Sequence, residues 1–285
     1  MSGAHRLPDA FVIGAMKAGT TTVRDWLHDH HGVKLPREKE INFFGRGPVT
    51  DRQLVTYAAH FTGIPTHVVT ADCSLYAMPG SGPTAAPQIA ASRPDARLVF
   101  IARDPIERMR SHYRHEVQRR RERRPFIEAI ADPSSTYVEA SLYHQCLEPF
   151  LQAFPDEQLL VVDFDDLVQP PYREWSAILG HLGLASAPSP GTASNVTAGK
   201  KQFSPLGHVL WERGMLQRAG VLPGWVRRAG RRLAFGDTAT YRSLLASADD
   251  QPPADVVGRL SADAARLQRV FGRRTDRATG VPTRS

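Results

Sequence analysis

The sequence contains very little cysteine. Only Cys73 and Cys146 occur among its 285 residues, too few for a disulfide framework and without the paired spacing of a zinc site. Such scarcity is typical of a reducing compartment, so we expect a cytoplasmic protein. No cluster of His, Cys and Asp has metal-ligand spacing either, and the sequence therefore predicts no metal site.

Long apolar runs are also missing. No segment approaches the ~18 consecutive apolar residues of a membrane-spanning helix, and the polar residues 1–9 lack the apolar centre of a signal peptide. We therefore expect no membrane partner. A hydrophobic content of 41% and a charged content of 23% are ordinary for a globular domain.

Acidic residues are outnumbered by basic ones, 29 to 36, which gives a formal net charge of +7. This balance favours an anionic ligand or partner. Nucleic acid would be the simplest such partner, but the basic residues are spread along the chain and no helix-turn-helix, zinc-finger or RNP pattern is visible. We therefore expect no nucleic-acid partner.

Apolar strands alternate with helical segments over the first two thirds of the chain. The predicted strands lie at 11–13, 33–35, 67–71, 97–102 and 158–163. Near-continuous apolar strands separated by helices predict a parallel sheet covered on both faces, an α/β fold like that of P-loop proteins. We expect a single domain over 1–285, with a core at about 8–184 and a helical C-terminal part at about 195–275.

The first predicted strand leads into a glycine-containing turn that carries one lysine. Gly14 to Gly19 enclose Lys17, and Thr20 begins a helix. Such a turn presents backbone N–H groups and a helix N-terminus to an anion. A Walker A loop has its lysine directly after the second glycine, whereas Lys17 precedes Gly19. A plain strand–turn–helix junction is the alternative interpretation.

A second candidate anion site follows the strand at 97–102. Arg103 ends that strand, Asp104 can cap the next helix, and Ser111 lies about two turns along it. Arginine and serine together can bind a second phosphate. Alternatively, Arg103 pairs with Asp104 or Glu107, and Ser111 is an ordinary helix residue.

Four segments, in order, resemble those of sulfotransferases that use 3′-phosphoadenylyl sulfate (PAPS). Ile13–Thr21 resembles their 5′-phosphosulfate loop, and Arg103–Tyr113 is similar to their 3′-phosphate motif. Lys39–Phe44 and Ser141–His144 resemble segments of the heparan-sulfate-type branch. The resemblance covers about residues 10–183. It implies PAPS as the sulfuryl donor and adenosine 3′,5′-bisphosphate (PAP) as the product.

The resemblance also implies a role for each matching residue. Lys17 would bind the 5′-phosphosulfate and stabilise charge on the leaving phosphate. Arg103 and Ser111 would hold the 3′-phosphate, which distinguishes PAPS from plain adenine nucleotides. The other implied donor contacts are Ala18, Gly19, Thr20, Thr21 and Thr22 at the 5′-phosphate, Tyr143 at the adenosine, and Lys200 and Lys201 on a late basic loop. Tyr143 is alternatively a core residue of its helix.

Glu40 occupies the position of the catalytic base in this branch. A carboxylate there can take the proton of the attacking hydroxyl, and Phe43 and Phe44 can desolvate it and raise its pKa. The alternative is a solvated loop charge. Asn42 stands where the branch often has histidine, and Asp72 lies near a position where it has lysine. The acceptor contacts of the branch are therefore not transferred to this chain.

The predicted activity is sulfuryl transfer from PAPS to a hydroxyl of a carbohydrate or a hydroxylated small metabolite. One alternative is a P-loop kinase with Asp163 as its Walker B aspartate. Another is a non-catalytic nucleic-acid-binding domain. No metal is expected with PAPS, because the donor lacks the β,γ-phosphate pair that Mg²⁺ bridges in kinases. The identity of the acceptor and the oligomeric state are left open by the sequence.

Overall fold

The computed structural model describes residues 6–170, 172–188, 202–203, 235–236 and 239–271. Contacts divide the chain into two compact units. Of the described residues, the first unit holds 6–108, 138–170, 172–188 and 255–271, and the second holds 109–137, 202–203, 235–236 and 239–254. No helix within the described ranges is long and apolar enough to span a bilayer. The single domain over 1–285 stays a prediction.

A five-stranded parallel sheet forms the centre of the first unit. Its strands are Ala10–Gly14 (β1), Val33–Lys34 (β2), Val69–Asp72 (β3), Arg97–Ala102 (β4) and Leu159–Asp163 (β5). They are ordered β2-β3-β1-β4-β5, with all neighbours parallel. The α/β class predicted from the alternating pattern is confirmed. Because β1 lies between β3 and β4, the segments that follow these three strands emerge at the same edge of the sheet.

Helices lie in the connections between the parallel strands and in the part of the chain that follows β5. They are Thr20–Asp29 (α1), Asp51–Ala58 (α2), Gly82–Ser92 (α3), Pro105–Gln118 (α4), Phe126–Ala131 (α5), Tyr143–Ala153 (α6), Phe164–Val168 (α7), Arg173–His181 (α8), Ala239–Ser247 (α9) and Ala254–Phe271 (α10). Short 3₁₀ helices occur at Phe44–Arg46, Ala59–Phe61, Glu139–Ser141 and Asp156–Gln158.

Local sequence rules explain where several helices begin. Asp104 Oδ1 accepts a hydrogen bond from the Glu107 N–H at 2.8 Å, so the predicted cap of α4 is confirmed. The helix α3 begins at Gly82. Proline lacks an N–H and has a helical φ, so Pro83 is compatible with the first turn of this helix.

The last described helix stabilises the start of α6. Asp263 of α10 accepts hydrogen bonds from the N–H groups of His144 at 2.9 Å and Gln145 at 3.1 Å. These are among the N–H groups that a helix cannot satisfy internally. The helix α10 lies within the helical C-terminal part predicted at about 195–275, and most of that part lies outside the described residues.

The second unit contains α5, α9 and most of α4, with a two-residue antiparallel pairing of Gln202–Phe203 and Phe235–Gly236. Its arginine-rich segment at 119–124 follows α4. Arg124 of this segment pairs with Glu122 at 2.9 Å and with Asp132 at 2.6 Å. This arginine therefore has a structural role within the unit.

Candidate active site at the carboxyl end of the sheet

The glycine-containing turn leaves β1 at the centre of the sheet. Lys17 has a φ of 69° and Gly19 a φ of 93°, so both adopt left-handed backbone conformations. The Ala15 N–H donates to the Ile101 carbonyl of β4 at 3.0 Å, which attaches the turn to the neighbouring strand. Non-glycine residues with positive φ are uncommon and cluster at functional sites. The conformation of Lys17 is consistent with such a site.

The turn ends at the N-terminus of α1. Gly19 is the N-cap residue and offers no side chain to the first-turn N–H groups, and no acidic residue lies in that turn. This helix end therefore combines backbone donors with a positive dipole end. Thr20 and Thr21 are partly exposed, whereas Ala18 and Thr22 are buried. The partly exposed residues are the ones that can meet a ligand.

A second lysine lies at the same helix end. Lys39 Nζ donates to Thr21 Oγ1 at 2.6 Å, and it is 3.8 Å from Glu40 Oε1. The sequence identified Lys39 only as part of a motif and gave it no role. Lys39 directly precedes Glu40, the predicted base, and this proximity was the feature of the sequence that could have indicated a role for Lys39 at the site. The structure thus brings the start of α1, Lys39 and Glu40 together.

Glu40 lies in the loop between β2 and α2. Its side chain is 35% exposed, and its φ of 55° and the φ of 50° at Asn42 are both left-handed. Asn42 Nδ2 donates to the Glu40 carbonyl at 3.2 Å. Phe43 stacks on Tyr57 with ring centres 4.3 Å apart, and Phe44 is fully buried. The predicted effect of these two rings on the Glu40 carboxylate stays a prediction.

Arg103 is brought next to the turn by the pairing of β1 with β4. Its guanidinium makes a long contact of 3.4 Å with the Lys17 carbonyl and lies 5.1 Å from the centre of the Phe164 ring. Glu107, the alternative partner named from the sequence, is 3.9 Å away and 42% exposed. An exposed pair at that distance contributes little to stability. Arg103 is therefore available to a ligand near Lys17.

Tyr143 supports the backbone of Arg103. Its side chain is 1% exposed, and its hydroxyl donates to the Arg103 carbonyl at 2.9 Å. Burial raises the pKa of Tyr143 above its ordinary value, so the hydroxyl stays a proton donor at neutral pH. Tyr143 is thus a core residue of its helix, as the alternative interpretation of the sequence predicted. A contact between Tyr143 and an adenosine stays a prediction.

The other predicted donor contacts are not tested by the structure. Ser111 is a nearly buried residue of α4, in the part of that helix that belongs to the second unit. Its shared role with Arg103 stays a prediction. Lys200 and Lys201 lie outside the described residues.

Asp72 lies at the centre of a buried hydrogen-bond network and is not exposed to an acceptor substrate. The residue is 1% exposed and accepts hydrogen bonds from Tyr57 at 2.6 Å, Tyr76 at 2.8 Å and Ser74 at 2.6 Å. Burial raises the pKa of Asp72, and these hydrogen bonds oppose the rise without cancelling it. Sequence reasoning did not identify this network, because its members become neighbours only in the folded chain.

The structure does not favour the interpretation of Asp163 as a Walker B aspartate. Asp163 Oδ1 accepts hydrogen bonds from the N–H groups of Asp165 at 2.8 Å and Asp166 at 3.1 Å, so it caps α7. The strand that it ends, β5, is separated from β1 by β4. Among the described residues, no group of three or more His, Cys, Asp or Glu could hold a metal ion.

Comparisons with known proteins agree with this architecture. Residues 50–188 match the model of the family described as "Sulfotransferase family". Mouse heparan sulfate glucosamine 3-O-sulfotransferase 3B1 is 28% identical over 194 residues, which are 64% of this chain and 48% of the relative. The membrane-associated sulfotransferase kil1 of Dictyostelium discoideum is 28% identical over 155 residues, 52% of this chain and 32% of that protein. The chain thus spans about half or less of the length of these curated relatives.

A solved structure supports the fold. The crystal structure of a sulfotransferase from Alicyclobacillus acidocaldarius superposes with a TM-score of 0.62 and 19% identity, covering 94% of this chain and 97% of that one. At such low identity the likeness demonstrates the fold alone. The family match, the curated relatives and this solved structure thus agree that the chain is similar to sulfotransferases.

Proposed function

We propose that this chain transfers the sulfuryl group of PAPS to an acceptor hydroxyl and releases PAP. The observation that carries the proposal is that Lys39 and Glu40 lie at the start of α1, the helix that directly follows the turn with Lys17. Two cations and a helix N-terminus form a site for a phosphosulfate. A carboxylate beside them is a candidate proton acceptor.

In the proposed reaction the acceptor oxygen forms a bond to sulfur while the bond from sulfur to the 5′-phosphate oxygen breaks. The electron pair of the broken bond stays on that phosphate, where Lys17 stabilises the growing negative charge. Glu40 takes the proton of the acceptor hydroxyl. Arg103 holds the 3′-phosphate. The chain supplies mainly positioning and electrostatic stabilisation, and no step requires a metal.

The names of two of the curated relatives, mouse heparan sulfate glucosamine 3-O-sulfotransferases 3B1 and 6, specify transfer to a sugar hydroxyl of heparan sulfate. We therefore propose a carbohydrate hydroxyl as the first acceptor class to test, followed by hydroxylated small metabolites. The cytoplasmic location expected from the scarcity of cysteine stays a prediction, and so does a bacterial source, which we infer from the abundance of Ala, Arg, Gly and Pro.

Selective stabilisation by PAP tests the donor assignment. A ligand at 100 times its Kd stabilises the folded state by about 2.7 kcal/mol, so PAP is expected to raise the Tm by several degrees. ATP with Mg²⁺ is expected to raise it much less, because it lacks the 3′-phosphate that Arg103 would bind. Equal shifts would support the kinase alternative and contradict the proposal.

Two pairs of variants test the chemical roles of Lys17 and Glu40. Lys17→Ala is expected to abolish labelled-sulfate transfer from PAPS, whereas Lys34→Ala, at an exposed position of β2, retains it. Glu40→Gln is expected to lower kcat by at least about 100-fold while PAP affinity changes little. Glu38→Gln is the matched control, because Glu38 lies on the same loop and pairs with His60. Full activity of Glu40→Gln would show that another group is the base.

A further inference from the structure

The hydroxyl groups around Asp72 connect its carboxylate to the loop that carries Glu40. Ser74 Oγ accepts a hydrogen bond from the Asn42 N–H at 3.0 Å, and the Tyr76 hydroxyl oxygen accepts one from the Phe43 N–H at 3.1 Å. A hydroxyl group has one proton to donate. Because both protons are directed to Asp72, both oxygens present lone pairs to the loop. The carboxylate thus sets the direction of these hydrogen bonds.

The side chain of Asn42 completes the connection to Glu40. Asn42 Oδ1 accepts from the Leu75 N–H at 3.1 Å, and its Nδ2 donates to the Glu40 carbonyl at 3.2 Å. The segment after β3 therefore makes three hydrogen bonds to Asn42 and Phe43. Left-handed conformations of non-glycine residues cost about 1–3 kcal/mol each and persist where the surroundings hold them. These contacts hold the two such residues in this loop.

We propose that Asp72 is a positioning residue for Glu40 and acts through the hydroxyl groups of Ser74 and Tyr76. The proposal rests on the proposed role of Glu40 as the base. Asp72 is itself buried and has no direct part in the reaction. Its effect is to fix the backbone from which the Glu40 side chain extends, and displacing a reacting group by about 1 Å can lower a rate by about 100-fold.

Tyr57 and Tyr76 provide a matched pair of test positions. Both are at least 98% buried, and both hydroxyls donate to Asp72 Oδ2. Of the two, Tyr76 has the hydroxyl that also accepts from the Phe43 N–H. Each change to phenylalanine removes one buried hydroxyl and leaves the ring in place. The two variants therefore lose similar packing and one carboxylate contact each, but they differ at the loop.

Steady-state kinetics on the full chain separate positioning from stability. Tyr76→Phe and Asp72→Asn are expected to lower kcat by about 10- to 100-fold with little change in the KM for PAPS. The kcat of Tyr57→Phe is expected to stay within about 3-fold of that of the unmodified protein, because this variant keeps the hydrogen bond from the Phe43 N–H to Tyr76. In a Glu40→Gln background, Tyr76→Phe is expected to have no further effect, because the hydroxyl acts through Glu40. Equal losses in Tyr57→Phe and Tyr76→Phe, or an additive loss in the double variant, would overturn the proposal.

Amide hydrogen exchange provides a readout that does not depend on activity. Tyr76→Phe is expected to speed exchange at the Phe43 amide at least about 10-fold relative to Tyr57→Phe, because this amide loses its acceptor. Equal exchange in the two variants would contradict the positioning role even if transfer were never detected. Absence of transfer in the unmodified protein would instead contradict the proposed function. The two failures are thus distinguishable.

Discussion

Replacing Gly19 by alanine is expected to destabilise the protein and weaken PAP binding. A Cβ atom at this position would lie 2.6 Å from two carbon atoms of the Phe164 ring, and the φ of 93° is unfavourable for any L-residue with a side chain. The backbone term costs about 1–2 kcal/mol, and forcing a methyl group into a packed site costs about 1–3 kcal/mol. The expected loss is therefore about 2–5 kcal/mol of unfolding free energy.

Gly63 provides the control that separates the two costs. Its φ is 76°, and a Cβ there would have no atom within 4 Å. Gly63→Ala is therefore expected to lose about 1–2 kcal/mol from backbone strain alone. The difference between the two variants, measured by urea denaturation, reports the contact with Phe164.

Phe164→Ala tests whether that contact is the cause. In the double variant with Gly19→Ala, the methyl group occupies space that the ring has left, so the two losses are expected to be less than additive by about 1–3 kcal/mol. Calorimetry with PAP is expected to show weaker binding by Gly19→Ala, because the ring that must move also lies under Arg103. Equal stability of Gly19→Ala and Gly63→Ala, with additive losses in the double variant, would refute this reasoning.

Two further substitutions test structural assignments. Burial raises the pKa of Asp9, but hydrogen bonds from Thr70 and Arg6 outweigh burial and keep the pKa below its ordinary value of 3.8. The ionised form therefore stabilises the fold above that pH, and Asp9→Asn is expected to cost about 1–3 kcal/mol at pH 7. Denaturant titrations should show this cost disappearing as the pH falls below about 4, and a cost independent of pH would contradict the assignment. Asp163→Asn retains a capping side chain and is expected to keep full sulfuryl transfer, whereas a loss of about 100-fold would contradict a purely capping role for Asp163.

Local sequence rules were sufficient for the strands and for the turn around Lys17. The strands at 97–102 and 158–163 are apolar runs with turn signals at both ends, and such runs form buried parallel strands. The turn around Lys17 could be located because glycine and threonine mark the end of a strand and the start of a helix. These signals depend on neighbouring residues and not on the rest of the fold.

Contacts between distant segments could not be predicted in this way. Lys39 reaches Thr21 across 18 residues, and Phe43 reaches Tyr76 across 33. No local pattern distinguishes a tyrosine that packs in the core from one whose hydroxyl holds a loop. The pairing of strands determines which of these side chains meet, and the sequence indicated strands without their order.

The order of the strands explains how the site is held. In the described part of the chain, three of the five non-glycine residues with positive φ are Lys17, Glu40 and Asn42. The turn with Lys17 is attached to β4 through the Ile101 carbonyl, and the loop with Glu40 is attached to the end of β3 through Ser74 and Tyr76. Because β3 and β4 flank β1, the distance between the proposed base and the proposed phosphosulfate site is set by the sheet. Loop substitutions that preserve these attachments are therefore expected to alter acceptor preference before they alter donor binding, which assays that vary PAPS and acceptor separately can measure.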